Sequence, residues 1–129
     1  MKPVIVISII ALAVWACSPA KKVSGPTKAV LSETSQDSTE YELVIIDTRF
    51  DNWYLMNYSP AKDRTNEYYR MKNSIAAANW NDYYNTGKYH RVIESYLDYW
   101  PNIDYGIELN RKLFWYFKFV EETYKIPLF

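Results

Sequence analysis

The 129-residue chain contains a single cysteine, Cys17. One cysteine cannot form a disulfide within its own chain, so a hydrophobic core alone has to hold the fold together. The composition allows such a core, because 49% of the residues are hydrophobic and 18% are aromatic. Ordered sequence is expected at 40–129, which is long enough for one domain with a modest core.

The segment before Cys17 has the pattern of a cleaved signal peptide. Lys2 provides a positive start, residues 4–14 are uncharged and almost entirely apolar, and Ala16 is the small residue that a signal peptidase needs before its cut. As a helix, this apolar run would span about 16 Å, roughly half of the hydrocarbon core of a bilayer. We therefore interpret residues 1–16 as a signal peptide and not as a transmembrane helix.

The residues around the predicted cut resemble a bacterial lipobox, with Val-Trp-Ala-Cys-Ser at 14–18. In proteins with this motif the cysteine thiol is acylated and the cysteine becomes the mature N-terminus. The resemblance implies a lipid on Cys17 and attachment to a membrane through it. The alternative is an ordinary secretory leader, which would leave Cys17 as a thiol that pairs between molecules or oxidises.

Residues 17–39 are predicted to form a flexible tether, because small polar residues, proline and glycine dominate and no apolar periodicity is present. The charges are balanced at 15 basic and 15 acidic residues, and removal of the leader takes away only Lys2. Such a chain has no basic surplus with which to bind phosphates, so nucleic acid is not expected as a partner.

The domain is predicted to have an α+β fold, in which a small antiparallel two-stranded sheet packs against two or three helices. Residues 41–47 are predicted to form a strand buried on both faces, since four consecutive apolar residues include three β-branched ones. A buried strand needs a partner for its backbone groups. We expect that partner within 91–99, with a helix there, or pairing with a second molecule, as the alternatives.

Three helices are expected. Asp51 is predicted to cap a short helix that ends before the Tyr-Ser-Pro sequence at 58–60. A second helix is predicted at 65–85, ended by Gly87 in a left-handed conformation. A third is predicted at 105–124, capped by Asp104. The expected core-facing residues of these helices are Tyr68, Met71, Ile75 and Ala78 in the second helix, and Leu109, Leu113, Tyr116, Phe117, Val120 and Tyr124 in the third.

The third helix has more hydrophobic surface than one face requires. Trp115 and Phe119 lie four residues apart and off the main stripe, and Arg111 precedes Trp115 by one turn. One interpretation is a central helix that is covered on both sides. The other is an exposed interaction surface formed by Arg111, Trp115 and Phe119, with the Arg111 guanidinium over the Trp115 ring.

Motifs for catalysis or for cofactors are scarce. The sequence contains no Gly-rich phosphate loop and no acidic metal-binding motif, so no cofactor, metal or catalytic residue is assigned. Asp47 and Asp51 flank a predicted turn and are weak candidates for a carboxylate-based hydrolase, although both residues also suit helix caps and turns. His90 is interpreted as a surface residue.

Tyrosine and tryptophan alternate with asparagine and aspartate at 79–85 and 96–100. Aromatic faces can stack on sugar rings while amides and carboxylates bind their hydroxyls. This pattern favours a glycan or peptidoglycan-binding module as an alternative function. The more ordinary interpretation is that tyrosine fills the periphery of a small domain, with its ring buried and its hydroxyl in water.

Several segments resemble a group of small uncharacterised lipoproteins from Bacteroidota, and the resemblance covers 41–126. The matching segments are Leu-Val-Ile-Ile-Asp at 43–47, Phe-Asp-x-Trp at 50–53, Asn-Glu-Tyr-Tyr-Arg at 66–70, Trp-Asn at 80–81, Pro-Asn-Ile-Asp-Tyr-Gly-Ile-Glu-Leu-Asn at 101–110 and Tyr-Phe-Lys-Phe at 116–119.

This resemblance implies a lipid-anchored protein of the cell envelope, but it brings no known activity and no catalytic residues. The Ser-Pro-Ala-Lys-Lys sequence at 18–22 lacks the acidic residues that favour surface display in that phylum. The expected location is therefore the outer membrane, facing the periplasm. The expected role is structural or protein-interacting, with an envelope protein as the partner.

Overall fold

The computed structural model describes residues 29–33 and 41–129. The predicted signal peptide, Cys17 and the rest of the predicted tether lie outside these residues. The described part folds as two strands and three helices, which confirms the predicted α+β fold. The elements are β1 (Ala29–Glu33), β2 (Tyr41–Ile45), α1 (Thr48–Asn57), α2 (Asn66–Thr86) and α3 (Ile107–Tyr124), with a 3₁₀ turn at Pro60–Lys62 between α1 and α2.

β1 and β2 form a two-stranded antiparallel sheet in which Ala29 pairs with Ile45 and Leu31 with Leu43. The partner of β2 therefore lies at 29–33, inside the range for which composition predicts a tether. The described residues cover only one face of the sheet. Leu43 is buried, whereas Val44 and Ile46 are 39% and 37% exposed, so the prediction of burial on both faces is wrong.

The predicted strand at 91–99 is wrong, because that segment is irregular. Some of its backbone groups bind side chains of α2, and others bind nearby backbone carbonyls, in place of a neighbouring strand. The Asn81 amide accepts a 2.8 Å hydrogen bond from the Leu97 backbone N–H and donates one of 2.8 Å to the Leu97 carbonyl. The Trp80 indole donates to the Ser95 carbonyl at 2.8 Å, and the Ser95 hydroxyl donates to the Ala29 carbonyl of β1.

α1 starts earlier than predicted, and its cap is Asp47 in place of Asp51. The Asp47 backbone is extended, and its Oδ1 accepts a 3.0 Å hydrogen bond from the Arg49 backbone N–H. Asp51 is instead an exposed acid in the first turn, where a negative charge is favoured by the helix dipole. The helix ends at Asn57, directly before the predicted interruption.

α2 begins and ends close to the predicted positions. The Thr65 hydroxyl accepts a hydrogen bond from the Tyr68 backbone N–H, and Gly87 caps the other end with φ of 72°. The predicted core face is wrong, because Met71 and Ile75 are 55% and 46% exposed. The buried face lies beside it and consists of Tyr69, Asn73, Ala76, Ala77 and Trp80.

α3 is the central helix, and it contacts α1, α2 and β2. It begins at Ile107, two residues later than predicted, because Asp104 does not cap it. The Asp104 carboxylate instead accepts from the Gly106 backbone N–H, and Gly106 adopts a φ of 83° at the helix start. The predicted core positions Leu113, Tyr116, Phe117 and Val120 are all buried.

Among the helices of the described part of the chain, none combines the length and the hydropathy that a membrane crossing requires.

Candidate functional site

The three residues predicted to form an exposed surface on α3 occupy different environments. Phe119 is 2% exposed and packs edge-on against Phe50 and Trp53 of α1. It therefore belongs to the core, because α1 covers this side of α3. Trp115 and Arg111 are both half-buried. The predicted exposed strip of Arg111, Trp115 and Phe119 is thus not present as such in the structure.

Arg111 forms a bidentate ion pair with Asp63, which lies in the loop before α2. Its Nε and Nη2 donate to Oδ1 and Oδ2 of Asp63 at 2.9 and 2.8 Å. The guanidinium lies over the Tyr58 ring at 5.7 Å from its centroid, and not over Trp115 as predicted. Arg111 therefore fastens the loop at 58–63 to α3.

The surroundings of Asp63 favour its ionised form. Hydrogen bonds from Arg111, and then from the Tyr69 hydroxyl at 2.6 Å, lower the pKa of Asp63 to about 2. The same pairing raises the pKa of Arg111 above its usual value. Because both groups stay charged at neutral pH and satisfy each other, this pair positions the loop and has little capacity to exchange protons.

Trp53 of α1 and Trp115 of α3 lie side by side, with their ring centroids 6.1 Å apart. They line a groove between the two helices that has a volume of about 300 Å³. Both helices contribute to the rim, together with Lys62 of the 3₁₀ turn. The other lining residues are Asn57, Lys118, Glu121 and Glu122.

The rim has two ammonium groups beside the indole rings. Lys62 donates a 2.7 Å hydrogen bond to the Asn57 carbonyl and forms no ion pair within the described residues. Lys118 reaches a carboxylate oxygen of Glu121 only at 4.0 Å. Glu121 is itself engaged, because its other oxygen accepts from the Leu128 and Phe129 backbone N–H groups. The groove therefore offers an aromatic floor and a rim with charges of both signs, in which the Lys62 and Lys118 ammonium groups are only weakly paired with the nearby glutamates.

Two polar atoms in the groove wall lack a hydrogen-bond partner. Nε1 of Trp53 and Nε1 of Trp115 are buried and make no hydrogen bond to any residue of the described ranges 29–33 and 41–129. A buried N–H without an acceptor is unfavourable by about 1–3 kcal/mol. These indoles therefore differ from that of Trp80, whose N–H has an acceptor in the Ser95 carbonyl.

The acidic candidates do not lie in this groove. Asp47 is 5% exposed and accepts hydrogen bonds from Arg49 and from the Tyr124 hydroxyl at 2.7 Å. These contacts tie the start of α1 to the end of α3, which is a structural role. Asp51 is exposed on α1, and His90 is exposed as predicted. Within the part of the chain described here, no group of three or more histidine, cysteine, aspartate and glutamate residues is arranged to hold a metal ion.

The amides in the predicted sugar-binding pattern at 79–85 are partly used inside the domain. Asn79 donates to the Leu128 carbonyl, Asn81 binds Leu97, and Trp80 is buried. At 96–100, Tyr96 and Trp100 are accessible, whereas Tyr99 is buried in the core. Trp100 is exposed, and its indole N–H donates to the Asp98 carboxylate at 2.6 Å.

Sequence reasoning identified Trp115 but missed its partners in the groove. Trp53 was assigned to the short first helix, with no indication of the helix it packs on. Nothing in the sequence marks Lys62 and Lys118 as site residues, because isolated lysines on a helix or turn are ordinary surface residues. The tertiary contact between α1 and α3 is what brings these residues together.

Comparisons with known proteins show what kind of chain this is. Neither a curated protein nor a solved structure matches it. One family's sequence model matches residues 4–129, nearly the whole chain, and that family is described as one of unknown function. The chain therefore belongs to the family of unknown function DUF6146.

Proposed function

We propose that this protein is a lipid-anchored component of the bacterial cell envelope that binds another envelope protein through the groove between α1 and α3. The observation that carries the proposal is the pair of half-buried indoles, Trp53 and Trp115, at the base of a groove flanked by Lys62 and Lys118. The lipobox-like sequence at 14–18 supports the anchor, and the outer membrane facing the periplasm is the proposed location.

The groove has the chemistry of a small protein-binding hot spot. Tryptophan is enriched where interfaces bind most strongly, because one ring buries a large area with few rotatable bonds. The lysines at the rim favour carboxylates. The partner segment that fits this arrangement carries an apolar side chain for the indole floor and an acidic residue next to it.

Lipid attachment is tested first. Palmitate labelling in cells is expected to depend on the thiol, so Cys17→Ala abolishes the label and moves the protein from the membrane fraction to the soluble fraction. Labelling that persists in Cys17→Ala would show that the anchor is elsewhere and would overturn this part of the proposal.

Binding in the groove is tested by site-specific photocrosslinking in cells. A photoreactive amino acid at Glu122, on the rim, is expected to give one discrete adduct with another protein. The same group at Tyr84, an exposed position on α2 outside the groove, is the matched control.

Charge reversal separates groove binding from chance proximity. Replacing both Lys62 and Lys118 by glutamate is expected to abolish the Glu122 adduct, whereas arginine at both positions retains it. An adduct that forms equally well from Tyr84, or that survives the charge reversal, would contradict the proposed site.

Glycan binding is a second candidate, and a different surface favours it. Trp100 and Asp98 line a cavity of about 200 Å³ together with Tyr41 and Tyr105. The hydrogen bond from Trp100 to Asp98 fixes an exposed ring beside a carboxylate, which is an arrangement suited to a sugar ring and its hydroxyls. Cosedimentation of the protein with peptidoglycan sacculi, lost in Trp100→Ala but kept in Trp115→Ala, would support this candidate, and absence of pelleting would reject it.

A further inference from the structure

α2 has a second apolar face in addition to the one that packs on α3. Met71, Ile75 and Ala78 are exposed and follow one another at helical spacing on this outer face. They are the residues that hydrophobic periodicity predicts to be in the core. We call this surface the outer stripe of α2, and it runs from Tyr68 to Asp82.

The outer stripe is held rigidly in place. On one side, the Arg70 guanidinium donates to the Pro101 carbonyl, with Nε at 3.1 Å. On the other side, the Asn79 amide donates to the Leu128 carbonyl at 2.8 Å. The stripe is therefore a fixed ridge between two anchored segments, and the described residues leave it uncovered.

The two ends of the outer stripe have opposite charge. At the N-terminal end, the Arg64 guanidinium and the Lys72 ammonium lie over the Tyr68 ring, 5.4 and 5.9 Å from its centroid. At the C-terminal end, Asp82 is exposed. In the described part of the chain, none of Arg64, Lys72 and Asp82 forms a salt bridge.

These features are symmetric about Ile75, which lies seven residues from Tyr68 and seven from Asp82. At 1.5 Å per residue, each charged end is about 10 Å from Ile75 along the helix axis. An antiparallel pair of α2 helices, related by a two-fold axis at Ile75, would place Asp82 of each copy beside Tyr68, Arg64 and Lys72 of the other. Ile75 would meet its symmetry mate at the centre.

We infer that a second copy of this chain covers the outer stripe, in an antiparallel α2–α2 homodimer centred on Ile75. A single stripe of this length buries about 1,000 Å² in total or less, which is the size of weak and transient interfaces. The dimer is therefore expected to be concentration-dependent. An anionic membrane surface fits less well, because Asp82 lies within the stripe and repels it. The inference does not depend on the groove, which α1 and α3 form.

Cysteine crosslinking in the full-length, detergent-solubilised protein tests the two-fold axis. Under mild oxidation, Ile75→Cys is expected to form a disulfide-linked dimer at least ten times faster than Met56→Cys. Met56 is the matched control because it is 83% exposed, more than Ile75, and lies on α1. Oxidation of the wild-type protein measures any disulfide-linked dimer that forms through Cys17.

The antiparallel orientation predicts a second crosslinking result. Met71→Cys and Ala78→Cys are each expected to crosslink poorly alone but well when the two variants are mixed, because each residue faces the other across the axis. If Met71→Cys alone crosslinks as fast as Ile75→Cys, the arrangement is parallel and the inference is wrong.

Charge exchange provides a readout that does not involve cysteine. Asp82→Lys is expected to weaken the dimer by at least tenfold in analytical ultracentrifugation, and adding Lys72→Glu to the same chain restores it. Circular dichroism checks that the variants fold. A wild-type protein that stays monomeric at millimolar concentration, or an Ile75→Cys variant that crosslinks only to a different protein, overturns the homodimer.

Discussion

Arg111 of α3 and Asp63 of the loop before α2 form two parallel hydrogen bonds, of 2.9 and 2.8 Å, across 48 residues of sequence. Tyr69 adds a third donor to the same carboxylate. This arrangement fastens the loop that connects α1 to α2, and with it one end of the groove, to the central helix.

The pKa of Asp63 predicts an acid-sensitive contribution to stability. The pKa of about 2 in the folded state lies below the ordinary value of 3.8, so the ionised form stabilises the folded state above about pH 4. That contribution is expected to disappear as the pH falls from about 4 to 2. Urea unfolding of the wild type should therefore lose more stability over this range than that of Asp63→Asn. Asp51→Asn, which removes an exposed acid that forms no salt bridge within the described residues, is the control for the loss of one carboxylate.

Gly106 and Gly87 should respond differently to the same substitution. Gly106 has φ of 83° and ψ of 156°, a region that is nearly restricted to glycine, whereas Gly87 is in the ordinary left-handed region. A Cβ would meet no atom within 4 Å at either site, so only the backbone is strained. We expect Gly106→Ala to lower the free energy of unfolding by about 2–3 kcal/mol and Gly87→Ala by about 1 kcal/mol. Equal losses by chemical denaturation would contradict this.

The two indoles Trp80 and Trp53 provide a test of hydrogen bonding in the core. Trp80→Phe removes a 2.8 Å donor from the Ser95 carbonyl and leaves a gap at a fully buried site, so a loss of about 2–4 kcal/mol is expected. Trp53→Phe also replaces an indole by a smaller phenyl ring, but it removes an N–H that has no acceptor in the described residues. Its cost should be below about 1 kcal/mol. Thermal and urea unfolding followed by circular dichroism will show whether the order holds.

The N-terminal boundary of the folded domain can be measured directly. A chain that starts at Thr27 keeps β1, whereas one that starts at Glu40 loses the partner of β2 and the fully buried Ala29. We expect the shorter chain to unfold at a much lower urea concentration or to show no cooperative transition. Identical unfolding curves would mean that β1 contributes nothing to stability.

Local chemistry made the ends of α2 predictable. Thr65 and Gly87 belong to the few residue types that satisfy the free backbone groups at helix ends, so they mark those ends in the sequence. The buried face was not predictable in the same way. α2 has apolar residues on two adjacent faces, and the face with Ala76 and Ala77 is buried because small residues let α3 approach closely.

The pairing of the two strands could not be predicted from local sequence. The Ala-Val-Leu-Ser-Glu sequence of β1 has too few apolar residues to stand out in a polar tract, so its pairing with β2 has no local signal. Residues 91–99 have a more strand-like composition, yet side chains of α2 form hydrogen bonds with backbone groups of this segment. For the groove, Trp115 was apparent from the surplus of aromatics on α3, whereas Trp53, Lys62 and the contact of Arg111 with Asp63 depend on tertiary packing.

The position of β1 also determines how much room the domain has at a membrane. Ala29 follows Cys17 by twelve residues, and twelve residues, however arranged, reach at most about 40 Å. With a lipid on Cys17, this segment would keep the Ala29 end of the sheet within about 40 Å of the membrane surface. Proteins anchored to the same membrane would then be held close to the domain, which favours them as partners.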